Sequence, residues 1–195
     1  MRLDELIQGI ESVTAVLERP ASWPEVKRVV ADSRRVGPGD AFCAVVGHAS
    51  DGHKFIDAAV AAGAVAVIAQ KPAGRVGAGA AVPWLILADT RKALGPLAHR
   101  CLGQPSRGMT VVGVTGTKGK TTITYLVESI LAAAGRPCGV LGTIAYRLGP
   151  GPKTFQIANH VTTPGADELA EMFAAMRADG VRDVVMEVSS HALDQ

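Results

Sequence analysis

Short β-branched apolar runs alternate along this chain with stretches whose apolar residues recur every three or four positions, the pattern of strands interleaved with amphipathic helices. Leu3, Leu6 and Ile7 predict a short helix over residues 2–9. A strand is expected at 26–30, then a turn at Gly37-Pro38-Gly39-Asp40, then a second strand, AFCAVV, ending at Gly47. Asp51 is placed to cap a helix that carries Phe55, Ile56, Ala59 and Val60 on one side and stops near Gly63. Residues 65–69 read as a strand and 74–81 as a glycine- and alanine-rich surface loop. WLILAD is a buried-looking strand, after which Thr90 is expected to cap a helix that Pro96 bends or delays.

The pattern breaks at Gly103-Gln104-Pro105-Ser106-Arg107-Gly108, where a domain boundary is expected, giving domains 1–107 and 108–195. From Met109 the order is strand, glycine loop and helix, then strand material over 138–145 and a turn rich in Gly and Pro. Thr163 and Pro164 look like the start of a helix carrying Leu169, Met172, Phe173 and Met176, and DVVMEVSS gives one more strand. Such alternation predicts an α/β protein with a parallel, doubly wound sheet and helices on both faces.

The stretch with the clearest chemistry is Gly113-Val114-Thr115-Gly116-Thr117-Lys118-Gly119-Lys120-Thr121-Thr122, between a predicted strand and a predicted helix. Glycines let the backbone curl until several N–H groups point at phosphate oxygens, and the helix N-terminus adds unpaired N–H groups and its positive dipole end. Lys120 is placed to reach β- and γ-phosphates, and the Thr121 hydroxyl to ligate Mg²⁺. The usual form, G-x-x-x-x-G-K-[ST], wants glycine where Val114 stands; here Gly113 comes one residue earlier and Gly116 adds a second flexible point. A glycine-rich turn without a ligand is the alternative.

Ligands of an open parallel sheet gather at the carboxyl ends of its strands. Glu187, with Ser189, Ser190 and His191, ends the last predicted strand, where a carboxylate can share Mg²⁺ with Thr121; a solvated acidic residue is the plainer reading. Asn159-His160-Val161-Thr162-Thr163-Pro164 puts hydroxyls before a helix start, where simple capping explains them equally well. In the first half, Asp32-Ser33-Arg34 and the segment from Gly47 to His53 amount to a possible site for an anionic ligand.

Composition narrows the function classes. The chain has 195 residues, 48% hydrophobic residues and a formal net charge of only +2, without a run of like charges. Nothing there suggests a nucleic-acid groove or a membrane-surface patch. Cys43, Cys101 and Cys138 are widely spaced and form no C-x-x-C pair, which disfavours a disulfide framework or zinc site and fits a reducing compartment. The first residues lack the apolar core of a signal peptide, and no tract approaches the roughly 20 apolar residues of a membrane span. A cytoplasmic protein acting on small molecules is expected, with no obligate protein partner.

Together GVTGTKGKTT, NHVTTP and MEVSSHAL resemble the Mur ligase family of peptidoglycan synthesis, and TTP followed by EVSSHAL most resembles its MurE type. The first half, from ADSRRVGPGD through GHASDGHKF to AVAVI, is similar to that family's N-terminal domain, so the likeness runs from about residue 30 to residue 195. The resemblance implies a uridine-nucleotide-binding α/β domain followed by an incomplete Rossmann-like, P-loop ATPase domain. It implies an ATP-dependent, amide-forming ligase that adds a diamino acid, diaminopimelate being the commoner, to UDP-N-acetylmuramoyl-L-alanyl-D-glutamate through an acyl phosphate.

By the same resemblance, Gly113, Gly116, Thr117, Lys118, Gly119, Lys120, Thr121 and Thr122 would bind ATP, with Lys120 and Glu187 catalytic and Thr121 and Glu187 holding Mg²⁺. Thr162, Thr163, Ser189 and Gln195 would contact the muramoyl peptide, and Ser33 and His48 the uridine diphosphate. Lys118 departs from the asparagine often seen at that point of the loop. Family members continue for several hundred residues, through a carbamylated lysine and the region that selects the diamino acid. The polypeptide is therefore expected to be an N-terminal portion, inactive alone, with a sheet edge left unpaired after Val188. Two alternatives are a MurF-type ligase adding D-alanyl-D-alanine, and a non-catalytic module that holds UDP-linked precursor or nucleotide.

Overall fold

The computed structural model describes residues 1–10, 13–47, 50–72, 82–156 and 160–194. It forms two compact units, Met1–Gly103 and Gln104–Gln195. The loop expected at 74–81 lies outside the described residues. Among the described residues, no helix is long and apolar enough to cross a membrane.

The first unit runs α1 (Leu3–Ile7), β1 (Val13–Leu17), β2 (Val29–Val30), β3 (Ala41–Cys43), α2 (Ile56–Ala61), β4 (Ala66–Ala69), β5 (Trp84–Leu87) and α3 (Thr90–Cys101). Its sheet has the order β1-β5-β4-β3-β2. β2 to β5 are parallel, and β1 pairs antiparallel with β5. Every residue of β3, β4 and β5 is buried, as strands covered on both faces require. On one face Phe42, Val67, Trp84 and Ile86 pack with Ile56 and Ala59 of α2. α3 packs against β2 and α1, with Leu97 fully buried.

Three local expectations change here. β2 is confined to Val29–Val30, because the Val26 N–H donates to Met1 O and the Lys27 N–H to Gly39 O. The cap of α3 is Asp89, whose Oδ1 accepts from Lys92 N at 3.0 Å; Thr90 is instead buried and donates its hydroxyl to Ala44 O at 2.9 Å. α3 also runs on through Pro96. β1 had no strong signal in the sequence, since none of its residues is fully buried. Asp51 does act as a cap, accepting from His53 N at 3.0 Å to open a 3-10 turn (Gly52–Phe55) that leads into α2.

The second unit runs β6 (Thr110–Val114), α4 (Lys120–Ala133), β7 (Cys138–Leu141), β8 (Tyr146–Arg147), α5 (Ala166–Ala178), β9 (Asp183–Glu187) and α6 (Ser190–Asp194). The strand order is β6-β9-β7-β8, parallel except for β8. From β6 to β7 the chain crosses one way through α4, and from β8 back to β9 it crosses the other way through α5. Right-handed crossovers in opposite directions put the two helices on opposite faces.

Side chains confirm the two layers. Val112, Val114, Cys138, Val140 and Val185 pack under Val127 and Leu131 of α4. Leu141, Val184 and Met186 pack under Met172, Phe173 and Met176 of α5. Alternation along β9 therefore sends Glu187, like Val185, to the face that carries α4. The last strand is central; among the described residues β6 and β8 end the sheet, and Val111 of β6 is 40% exposed. α5 begins later than expected, at Ala166 with Gly165 as its cap, because the Thr163 hydroxyl is engaged elsewhere.

Candidate functional site

β6 delivers the chain to Val114 at the carboxyl edge of the second sheet, and residues 115–119 turn back into α4. Gly116 (φ 144°) and Gly119 (φ 81°) take backbone angles that side chains disfavour, and Gly119 is the cap residue of α4. The loop is exposed from Thr115 through Gly119. Lys120 Nζ donates to Gly116 O at 2.9 Å, so the ammonium lies over the loop. Thr117, Lys118 and Thr122 are exposed on or beside it. A fourteen-residue helix whose first N–H groups face such a loop is an anion-binding arrangement.

The next residue of α4, Thr121, donates its hydroxyl to Glu187 Oε1 at 3.0 Å. Glu187 is 2% exposed, so its carboxylate depends on donors around it. Besides Thr121 these are Thr143 N, 3.0 Å from Oε1, and the Thr143 hydroxyl, 3.2 Å from Oε2. A Cβ built on Gly142 would stand 2.3 Å from Glu187 Oε1, so the carboxylate occupies space that only glycine leaves open. Gly142 and Thr143 follow the carboxyl end of β7, immediately beside β9 in the sheet.

Thr162, Thr163 and Ser189 gather at the same edge. Thr163 Oγ1 donates to Glu187 O at 3.0 Å and accepts from Ser189 N at 3.0 Å. The Thr162 and Thr143 hydroxyl oxygens are 3.2 Å apart. The segment before them is pinned by aromatic contacts. His160 stacks on Tyr146 with ring centroids 4.2 Å apart and donates Nε2–H to Gly142 O at 3.0 Å. The Tyr146 hydroxyl donates to Val161 O and accepts from Val161 N. Burial pushes the Tyr146 hydroxyl above its ordinary pKa, keeping it a neutral donor.

In the first unit, Ser33 opens a 3-10 turn (Ser33–Arg35) capped by Asp32, which accepts from Arg34 N at 2.9 Å. Arg34 and Asp32 also pair through their side chains, and that pairing holds the Asp32 carboxyl below its usual range. Ser33 itself is half-buried. His48, Asn159 and Gln195 lie outside the described residues.

Reading the residues alone singled out Gly113 to Thr122, Glu187, Thr162, Thr163 and Ser189, and the fold brings these together in the second unit. It passed over Gly142, Thr143 and the Tyr146–His160 stack. Thr143 lay inside the segment read as strand material, 138–145, whereas the strand ends at Leu141, and the strand order that sets Thr143 against Glu187 was not visible. As a cation site, the Thr121 hydroxyl and the Glu187 carboxylate offer hard oxygen donors suited to Mg²⁺. Among the described residues no group of three or more His, Cys, Asp or Glu could hold a metal. Two protein oxygens beside such a glycine loop suit a cation that would take its remaining ligands from water and a bound anion.

Residues 25–101 match the family described as Mur ligase family, catalytic domain, and residues 114–195 the Mur ligase middle domain. A UDP-N-acetylmuramoyl-L-alanyl-D-glutamate–2,6-diaminopimelate ligase of Geobacter sulfurreducens is 42% identical over 199 aligned residues, covering 100% of this chain and 36% of the relative. The solved structure of a ligase with that same name superposes on all of this chain and 37% of its own, with a TM-score of 0.72 and 27% identity. A MurF ligase from Thermotoga maritima, solved in complex with ADP, covers 85% of this chain and 32% of its own, at a TM-score of 0.53 and 26% identity. The chain thus spans about a third of the length of the curated relatives it matches. With both matched regions, the glycine loop and the two-layered sheet in agreement, the chain belongs to the Mur ligase family.

Proposed function

We propose that this chain carries the precursor- and nucleotide-binding parts of a MurE-type ligase, which joins a diamino acid to UDP-N-acetylmuramoyl-L-alanyl-D-glutamate at the expense of ATP in the cytoplasm. The observation that carries the reading is the Thr121–Glu187 pair at the end of the glycine loop. Residues 1–107 are assigned the uridine diphosphate, through Ser33 and His48. Residues 108–195 are assigned ATP, through the loop from Gly113 to Thr122, and the muramoyl peptide, through Thr162, Thr163, Ser189 and Gln195.

In the reaction assigned, an oxygen of the substrate carboxylate attacks the γ-phosphorus and ADP leaves. The amine nitrogen of the diamino acid then attacks the acyl carbon, loses a proton, and phosphate leaves. Two anions must approach each other, and Lys120 with the loop N–H groups stabilises the negative charge gathering on phosphate oxygens. Mg²⁺, bound by Thr121 and Glu187, would supply the remaining neutralisation. Thr162, Thr163 and Ser189 orient the peptide carboxylate from the same sheet edge.

Calorimetric titration of the chain with UDP-N-acetylmuramoyl-L-alanyl-D-glutamate, and separately with ATP in Mg²⁺, tests this reading. Saturable binding of the precursor, weakened at least tenfold by Ser33→Ala and by Thr162→Ala, is expected, each substitution removing a polar contact worth about 1.4 kcal/mol or more. ATP binding is expected to need Lys120 and Glu187. A folded chain that binds neither ligand would overturn the assignment.

A further inference from the structure

Glu187 is buried, yet the donors that fix its two oxygens come mainly from one residue that no motif contains. Thr143 N holds Oε1 and the Thr143 hydroxyl holds Oε2, while Gly142 leaves the space that the carboxylate fills. Thr121 reaches only Oε1. Resting on the function proposed above, we propose that Thr143 is a positioning residue of the cation site, holding the plane of the Glu187 carboxylate so that one oxygen faces Thr121.

The geometry gives the hydroxyl a definite role. Thr143 has a single hydroxyl proton, and a carboxylate is a stronger acceptor than another hydroxyl. The proton therefore goes to Glu187 Oε2, and the Thr143 oxygen is left to accept from the Thr162 hydroxyl 3.2 Å away. Two donors from one residue, at adjacent positions, restrain rotation of the carboxylate as a single donor would not. A cation held by Thr121 and Glu187 would need both oxygens of the carboxylate kept in place, which Thr143 N does for Oε1 and the Thr143 hydroxyl for Oε2. Residues that orient a metal ligand in this way are commonly worth about 10–100-fold in metal affinity.

The test is calorimetric titration of the chain with ATP, in EDTA and in Mg²⁺, for the unaltered protein, Thr143→Val and Thr143→Ser. Valine keeps the shape and the backbone N–H but loses the hydroxyl. Thr143→Val is expected to bind ATP normally in EDTA and to lose most of the Mg²⁺ enhancement, about tenfold; Thr143→Ser is expected to restore it. A full Mg²⁺ enhancement in Thr143→Val would overturn the proposal. So would weakened ATP binding in both arms, which marks a merely structural residue. An unaltered protein whose ATP binding ignores Mg²⁺ would instead overturn the cation site itself, and the role of Thr143 with it.

Discussion

Thr121 and Glu187 stand 66 positions apart in sequence, yet the hydroxyl of one lies 3.0 Å from the carboxylate of the other. Strand order makes the contact. β9 inserts beside β6, Val114 pairs with Glu187, and side-chain alternation turns Glu187 toward the first turn of α4. Changes that leave both residues in place but disturb this register should therefore be as damaging to cation binding as changes to either residue.

Gly142→Ala is the sharpest such change. Its methyl would fall 2.3 Å from Glu187 Oε1, so the carboxylate must move. The Mg²⁺-dependent part of ATP affinity should drop about tenfold or more, with an overpacking cost of about 1–3 kcal/mol in unfolding. Calorimetry with and without Mg²⁺, beside urea unfolding, measures both. Unchanged Mg²⁺ dependence would mean that Glu187 does not face the cation.

Thr124 offers the opposite case. It is fully buried in α4, and among the described residues its hydroxyl has no hydrogen-bond partner. An unsatisfied buried hydroxyl costs about 1–3 kcal/mol, so Thr124→Val should raise stability by about 1 kcal/mol while leaving ATP affinity unchanged. Chemical denaturation checks the first point and calorimetry the second. A clear loss of stability would show that the hydroxyl is bonded.

Gly139 in β7 lets α5 approach the sheet. A Cβ there would meet Met176 Sδ at 2.6 Å and Cε at 2.5 Å. Because Met176 is fully buried but flexible, Gly139→Ala should cost only about 1–2 kcal/mol. The double variant Gly139→Ala/Met176→Leu should be more stable than the two separate losses imply. Strict additivity in a denaturation cycle would remove the contact from the account.

Burial, with Glu128 and Asp183 nearby, pushes the Cys138 thiol up to about 11. Raising the pKa disfavours the thiolate, which is the reactive form, so at pH 8 roughly one thiol in a thousand is ionised. Alkylation of Cys138 in the folded chain should be slow at pH 8 and should accelerate about tenfold per pH unit toward 11. Mass spectrometry after timed iodoacetamide treatment follows it. Fast modification at pH 7 by the folded chain would contradict the burial that causes the shift.

Much of this was legible from residues because local rules carried it. The glycine loop, the helix after it and the strand ending in Glu187 are all written in nearest-neighbour terms, and all stand in the structure. The cap of α3 was misplaced by one residue since Asp89 and Thr90 both carry capping oxygens; only burial of Thr90 against Ala44 decides between them. β1 escaped because an edge strand buries too little to show a pattern. Thr143 escaped for a deeper reason: its partners are set by which strand lies beside which, and that information is spread over the whole second unit.

The order β6-β9-β7-β8 also bears on how the molecule is made. During synthesis β6, α4 and β7 leave the ribosome well before β9, but β6 and β7 never pair with each other. They wait for the strand that fits between them. Since long-range pairings form late and slowly, the glycine loop exists as a local turn before the Glu187 carboxylate arrives. On the function proposed above, Mg²⁺-dependent nucleotide binding would therefore report the docking of residues 183–187 beside β6.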